Sequence, residues 1–475
     1  MPSVPSIAEE TVCEINRDFL TRAQQQQPQQ QGGDVSSKAH EQYNKVLNRV
    51  FPKLLFKVGT IPIADDNGSN GIAAQMDISA PGGSLEGEEE DLVRATAAAV
   101  EETLDEALGE PLSALQRLGS LFYRGEKRDS SSARPKFLQS MAWHKHKLLL
   151  AFVANPAHVL VVDYDDADAK NPFLLGHETQ QRGVEAIEWR PNSGSILAVG
   201  CRGGVCLWTA SGATPPLRTG AVVPLVSAAT KWSLVDFLRW GIDMPVSALS
   251  WSPCGRLLAC GSSETPTFAV WDVSLGESTP LRRGMAGVQF MKWSPLGDYL
   301  LTAKVDASFH LWETMTWTSE PWASAGGALV GAAWSPDGRM IMGAFDQSST
   351  LGTLHFAGKP PSLEVHLLPL GLSEIEAVCG PGGSIERMAW DGTGERLAVS
   401  YTGGDAVYSG LIAIYDTRRT PIISASLLGF VRGPGAGAKP LAFAFHDKLR
   451  QGALLGVCWS TGFICVYPML FRTGM

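Results

Sequence analysis

The chain has 475 residues with 44% hydrophobic and 18% charged side chains, enough to build and bury a sizeable core. Its formal net charge is −9, and the acidity is uneven: residues 1–135 hold 13 basic and 21 acidic side chains, leaving 26 and 27 for residues 136–475. A nearly neutral body with an acidic arm lacks the clustered Lys and Arg that phosphate backbones require, so direct nucleic-acid binding is not expected. The first residues, MPSVPSIAEE, show neither a basic nor an apolar leader region, and no uninterrupted apolar run reaches spanning length. An intracellular protein with no transmembrane span of its own is expected.

Taken in chain order, residues 1–22 contain TVCEINRDF (Thr11 to Phe19), which alternates in strand fashion outside any repeat. Residues 23–90 read as a low-complexity, acidic linker, with a Gln run (Gln24 to Gln31) and a Gly/Ser-rich stretch (Gly68 to Glu90) that bury too little apolar area to offset ordering. Residues 91–125 read as helical: DLVRATAAAVEETLDEAL (Asp91 to Leu108) puts Leu92, Val100, Leu104 and Leu108 on one stripe, and a second turn-plus-helix follows Pro111.

From residue 136 to 475 one unit recurs: an apolar strand ending in an aromatic residue, a polar turn with Pro or Gly, a second apolar strand, and a third strand ending in an aromatic residue. Three copies are close, at Trp251 and Trp271, Trp293 and Trp312, and Trp334 and Phe356; four are looser, at Trp143 and Tyr164, Trp189 and Trp208, Trp390 and Tyr415, and Phe445 and Tyr467. Short strands, S-P-x-G turns and this spacing predict an all-β, seven-bladed WD-repeat β-propeller, whose N-terminal extension contains one or two helices and a ring-closing strand. The aromatic residues Trp143, Trp189, Trp208, Trp251, Trp271, Trp293, Trp312, Trp334, Trp390, Tyr415 and Tyr467 are assigned to blade core. After GFICVYPML too little chain remains for a fourth strand, so the Thr11 to Phe19 segment is expected to supply it.

Motifs for chemistry are scarce. No phosphate loop, nucleophile elbow or zinc helix occurs, and no catalytic, cofactor or metal site is expected. His144 and His146 lack a third ligand, Asp165, Asp166 and Asp168 read as a solvated turn, and the eight Cys form no C-x-x-C pair and read as buried free thiols. Three features suggest binding. An insertion at 211–245 carries Trp232, Leu234, Val235, Phe237, Leu238 and Trp240 in a stretch read as helical; Trp232, Phe237, Leu238 and Trp240 either cap the propeller or contact a partner. Arg282 and Arg283 in LRRG resemble a phosphoinositide motif of autophagy propellers. Tyr415 to Arg418 in IAIYDTR resembles the box of propellers that serve as substrate receptors of cullin-type ubiquitin ligases.

The runs FHLWETMTWTSEPW (Phe309 to Trp322), GALLGVCWSTGFICVYPMLF (Gly452 to Phe471), TVCEINRDF and SIERMAWDGTGERLAV (Ser384 to Val399) are similar to the corresponding segments of the aladin family of WD-repeat nucleoporins. The Gln run and the Trp232 segment depart from the animal pattern and point to a plant-type or otherwise divergent member. The resemblance implies a non-enzymatic scaffold of the nuclear pore complex, with other nucleoporins as partners, anchored at the nuclear envelope by a transmembrane-ring nucleoporin and supporting nucleocytoplasmic transport. It transfers no site residue. The ubiquitin-ligase receptor and the phosphoinositide-binding propeller stand as alternatives.

Overall fold

The computed structural model describes residues 11–15, 17–21, 55–57 and, with short interruptions, 140–471; the longest interruptions are 165–171, 212–230 and 373–382. The helices expected within 91–125, the Gln and Gly/Ser runs, and Asp165, Asp166 and Asp168 lie outside the described residues, among which there is no helix. Three strands come first: β1 (Thr11–Ile15), β2 (Asp18–Thr21) and β3 (Leu55–Lys57), the last inside the segment read as linker. Blade one is β4 to β7 (Met141–Trp143, Leu149–Asn155, His158–Asp163, Phe173–Gly176), and blade two is β8 to β11 (Ala186–Trp189, Ile196–Cys201, Gly204–Ser211, Lys231–Arg239). Blade three is β12 to β15 (Ala248–Trp251, Leu257–Gly261, Thr267–Asp272, Glu277–Arg282), and blade four is β16 to β19 (Val288–Trp293, Tyr299–Lys304, Ser308–Glu313, Thr318–Ala323). Blade five is β20 to β23 (Leu329–Trp334, Met340–Phe345, Leu351–Phe356, Val365–Leu370), and blade six is β24 to β27 (Ser384–Trp390, Arg396–Thr402, Ile412–Arg418, Ser424–Val431). Blade seven, β28 to β30 (Pro440–His446, Gly452–Trp459, Phe463–Leu470), is completed by β1, β2 and β3. Each blade touches the next, and blade seven touches blade one through β28 and β4, so the ring is closed.

Burial explains the strand sequences. The second strand of a blade is covered on both faces by neighbouring blades, which is why β17 (YLLTAK) and β21 (MIMGAF) are buried at every position and read as continuous apolar runs. The outer strands β15 (ESTPLR) and β19 (TSEPWA) face water and read as polar. Apolar clusters fill the seams: one joins Leu150, Phe152 and Leu160 of blade one to Leu454, Ile464 and Val466 of blade seven. Glycine closes the turns between first and second strands because Gly255, Gly297, Gly338 and Gly394 adopt φ of +72°, +86°, +66° and +75°.

Those turns also need an acceptor directly after the first-strand aromatic. Ser294 Oγ accepts from the Gly297 and Tyr299 amides at 3.1 Å each, and Asp391 Oδ1 from the Glu395 and Arg396 amides at 2.7 Å each. In blade one a histidine takes the role: His144 Nδ1 accepts from the amides of His146 and Lys147, both at 3.0 Å. Burial, and then the charges of Lys147 and His146, lower the His144 pKa from 6.5 to about 4.

The N-terminal strands clasp two blades. β1 runs parallel to β30, pairing Glu14 with Met469 and Ile15 with Leu470, while β3 takes the other end of the same edge, pairing Leu55 with Cys465. Glu14 is fully buried, and its carboxylate accepts from Arg396 Nη2 at 2.8 Å and Nε at 3.1 Å. Arg396 Nη1 donates to Asp416 Oδ1 at 2.7 Å, and the other oxygen of Asp416 accepts from Arg17 Nη2 at 2.9 Å. The Phe471 ring lies 4.0 Å from the Arg396 guanidinium carbon. Thr11 Oγ1 accepts from the Arg432 amide at 3.1 Å, and Phe19 packs against Gly429 of β27. The extension is thereby fixed both to the edge of blade seven and to blade six.

Removing one member of this buried network leaves a charge without its partner, so Glu14→Ala is expected to destabilise the fold by about 3–5 kcal/mol, read by denaturant unfolding. The double variant Glu14→Leu, Arg396→Met should cost less than the sum of its single changes. His144 gives a pH dependence with a definite sign. Its pKa is lowered on folding, so its contribution is complete above the unfolded value of 6.5 and is lost as pH falls toward 4. Stability should drop by about 2 kcal/mol between pH 7.5 and 5 through this residue. His144→Asn, which keeps an acceptor but does not titrate, should flatten that slope.

Candidate functional site

The aromatic residues at the strand ends stitch the seams. Trp143 Nε1 donates to Ala444 O at 3.1 Å, Trp189 Nε1 to Ala142 O at 3.0 Å, Trp293 Nε1 to Ser250 O at 3.1 Å and Trp334 Nε1 to Lys292 O at 3.2 Å. Each bond reaches the first strand of the preceding blade. Trp251 breaks the series: its ring nitrogen has no partner, and its amide instead donates to Glu188 Oε2 at 2.9 Å while Arg190 lies 5.4 Å from its ring. Among third-strand aromatics, Trp208 donates to Gln181 Oε1 at 2.8 Å, Trp312 to Thr302 at 3.0 Å, and Tyr415 shares a 2.8 Å bond with Tyr401. Trp271 and Tyr467 are buried, and Trp390 donates to Thr417 at 3.0 Å. These groups are engaged in packing and in hydrogen bonds within and between blades.

Ionisable groups converge at Glu14, Arg396, Asp416 and Arg17, where they pair with one another. Burial pushes Glu188 up to about 8, against the opposing pull of Lys292 and the Trp251 amide. Among the described residues no group of three His, Cys, Asp or Glu is placed to hold a metal. Of the described cysteines Cys254 is exposed; the others, including Cys201 and Cys206 with sulfurs 3.6 Å apart, are buried free thiols. Arg282 donates to Met285 Sδ, whereas Arg283 donates to Ser319 Oγ at 3.2 Å and lies 5.8 Å from the Trp312 ring. Arg418 is 71% exposed, but the Asp416 beside it is already shared by Arg396 and Arg17. Glu14, Arg396 and Gln181 carry structural roles that no local sequence pattern singled out.

The segment read as a helical insertion is the outer strand of blade two. Lys231–Arg239 pairs antiparallel with β10 from Gly204↔Arg239 to Ser211↔Lys231, and residues 212–230 lie outside the described residues. The difference has a physical cause. Leu207 pairs with Asp236 and Trp208 with Leu234, so Val235 is an extra residue in a β-bulge. The bulge shifts the two-residue period by one, so the inward set becomes Trp232, Leu234 and Phe237 and the strict alternation that marks a strand is lost. Trp232 packs in the seam to blade one, its ring 5.9 Å from Trp189 and 6.3 Å from Phe173. Leu238 is 3% exposed and Trp240 packs beside it in the seam to blade three. Val235, by contrast, is 64% exposed.

Seven blades in a closed ring, six of four strands and one of six, with aromatic seams between them, define a propeller of the WD-repeat class. The family profile described as the Aladin seven-bladed propeller matches residues 131–470. A curated Aladin from Arabidopsis thaliana is 46% identical over 481 aligned positions, spanning 100% of this chain and 99% of that protein. One of the subunits of chromatin assembly factor 1 from Mus musculus is 26% identical over 183 residues, 38% of this chain and 32% of that protein. A chain of a crystal structure of the mitotic checkpoint complex superposes with a TM-score of 0.50 at 15% identity, covering 74% of this chain and 98% of that chain, a likeness of fold alone. The chain belongs to the aladin family.

The two kinds of apolar residue on β11 should separate in unfolding experiments. Trp232→Ala is expected to cost about 2–3 kcal/mol through lost aromatic packing, whereas Val235→Ala should change stability by no more than about 0.5 kcal/mol.

Proposed function

We propose that this protein is a non-enzymatic scaffold subunit of the nuclear pore complex, held at the nuclear envelope through a transmembrane-ring nucleoporin and supporting nucleocytoplasmic transport. The observation that carries this reading is the 46% identity to a curated Aladin over the whole chain, taken with the nuclear-pore role that membership of the family implies. The physical character of the molecule supports it. No helix among the described residues is long and apolar enough to cross a membrane, so residence in a membrane-embedded assembly calls for a protein anchor. A rigid ring with two loop-bearing faces and a rim offers contact surface for several partners at once.

A fluorescent fusion in living cells is expected to give a punctate nuclear rim, with pore components among the neighbours marked by proximity labelling. A diffuse or vesicular signal from a folded, full-length fusion, with no pore components labelled, would refute the assignment.

A further inference from the structure

Arg282 closes β15 and Arg283 opens the connection to β16; both side chains are exposed. This connection meets the turn between β17 and β18 at one end of the ring, where the Val305 amide donates to Gly287 O at 3.2 Å and Lys304 Nζ donates to Arg283 O. Gly284 permits the approach of the lysine: its φ is +65°, and a Cβ there would stand 3.1 Å from Lys304 Nζ. The Arg283 side chain crosses the seam between blades three and four, donating from Nε to Ser319 Oγ at 3.2 Å with its guanidinium carbon 5.8 Å from the Trp312 ring. Neither of its terminal nitrogens has a partner among the described residues.

Positive charge continues beneath these guanidinium groups. On the face of blade four turned to blade three, Lys304 follows Thr302 at the two-residue period of β17, and His310 precedes Trp312 on β18; Trp312 meets Phe268 of blade three at 5.2 Å and donates to Thr302 Oγ1 at 3.0 Å. Lys304 is 2% exposed, and among the described residues neither it nor Arg282 nor Arg283 forms an ion pair. His310 is also buried, and its Nδ1 has no hydrogen-bond partner. Burial lowers the pKa of Lys304 and of His310; Asp306 opposes the shift in both, while Arg282 adds to it at Lys304, and Lys304 and Arg283 add to it at His310. A buried ammonium without a counter-ion and an idle ring nitrogen are costs that packing alone does not require.

An anion offsets those costs, and its kind follows from the surroundings. A phosphate monoester offers several charged acceptor oxygens to the donors of two guanidinium groups. An extended peptide finds no continuous ladder here, because Pro280 interrupts the amides of β15. Met285, in the same connection, is 80% exposed, and Val305 across from it is half-exposed. Apolar side chains beside cations suit a bilayer surface, where charge meets head groups and apolar groups enter the interface.

We propose that Arg282 and Arg283 bind the phosphate monoester of a phosphorylated inositol lipid at the mouth of the seam between blades three and four, over the buried charge of Lys304 and with Met285 entering the bilayer interface. The inference goes beyond the scaffold reading and does not rest on it, since a protein anchor and a lipid contact are separate attachments.

The test is co-flotation of the full chain with phosphatidylcholine vesicles that contain a phosphatidylinositol bisphosphate, against vesicles brought to the same total charge with phosphatidylserine. Binding to the inositol lipid should be at least about tenfold tighter, and should weaken about fivefold on Arg282→Gln and on Arg283→Gln. Lys304→Met keeps the buried stem and removes the charge, so binding should weaken while the thermal unfolding midpoint does not fall. Asp306→Asn should tighten binding, a gain that no folding defect produces. Lys359→Gln, exposed in the turn between β22 and β23 at the opposite end of the ring, should change nothing. Soluble inositol trisphosphate, followed by calorimetry, separates head group from bilayer: Met285→Ser should weaken vesicle binding and leave the affinity for the soluble head group unchanged. If Arg283→Gln disturbs the packing on Trp312, Arg282→Gln and Asp306→Asn carry the comparison. The proposal is overturned by any of four results: equal binding to phosphatidylserine vesicles, indifference to the charge substitutions, calorimetric binding without flotation, which would place the ligand in solution, or tighter binding to a phosphopeptide array. A fusion at the nuclear rim from a chain that floats with neither vesicle would sink this inference and leave the scaffold reading intact; flotation with a diffuse fusion would do the reverse.

Discussion

Burial of both faces of every blade is the constraint on which the ring depends; it is met when blade seven packs against blade one, and the chain's early segments complete the sheet of that last blade. A single twisted sheet whose middle strands are apolar on both sides is unstable alone, so each blade relies on two neighbours. The tryptophan bonds from one first strand to the preceding one set the spacing of those neighbours. β1 then ties the last two blades together: its one buried carboxylate meets Arg396 of blade six while its backbone pairs with β30 of blade seven. An ion pair with almost no exposure on either side contributes little net attraction after desolvation, but its geometry admits a single register. The network therefore specifies where the extension seats more than it adds to the overall stability.

The sequence is most legible where burial leaves a periodic trace. The aromatic-ended first and third strands and the apolar second strands repeat clearly enough to count blades, and the strand at Thr11 stands out by alternation. Outer strands are nearly silent, because ESTPLR and TSEPWA face water and resemble connecting loop. β11 reads as a helix because one extra residue at Val235 breaks its two-residue period. β3 escapes notice because three residues carry too little pattern. The partnership of Glu14 with Arg396 is invisible locally: the two are 382 residues apart, and a glutamate in an alternating strand reads as the solvent-facing member.

The same contrast applies to sites. Aromatic residues recognisable from sequence are spent on seams, so their abundance says much about the fold and little about ligands. Features that set one blade of this ring apart from the others are instead departures from regularity, such as the histidine that stands in the place of serine in the blade-one turn, the glutamate that replaces an indole bond at Trp251, and the bulged strand at the rim. Family membership supplies the functional frame, and these departures mark where this chain can differ within it.

The clasp also sets an order in time. Glu14 leaves the ribosome about 450 residues ahead of Met469, its pairing partner in the last strand. At typical synthesis rates the interval is roughly 20–90 s. Throughout it the blades already made form an open arc whose terminal faces are apolar and uncovered, a state in which chaperone capture and aggregation compete. A premature stop within the last blade would remove β30 and strand the N-terminal strand without a seat, so loss of a few dozen C-terminal residues disables the chain from both ends.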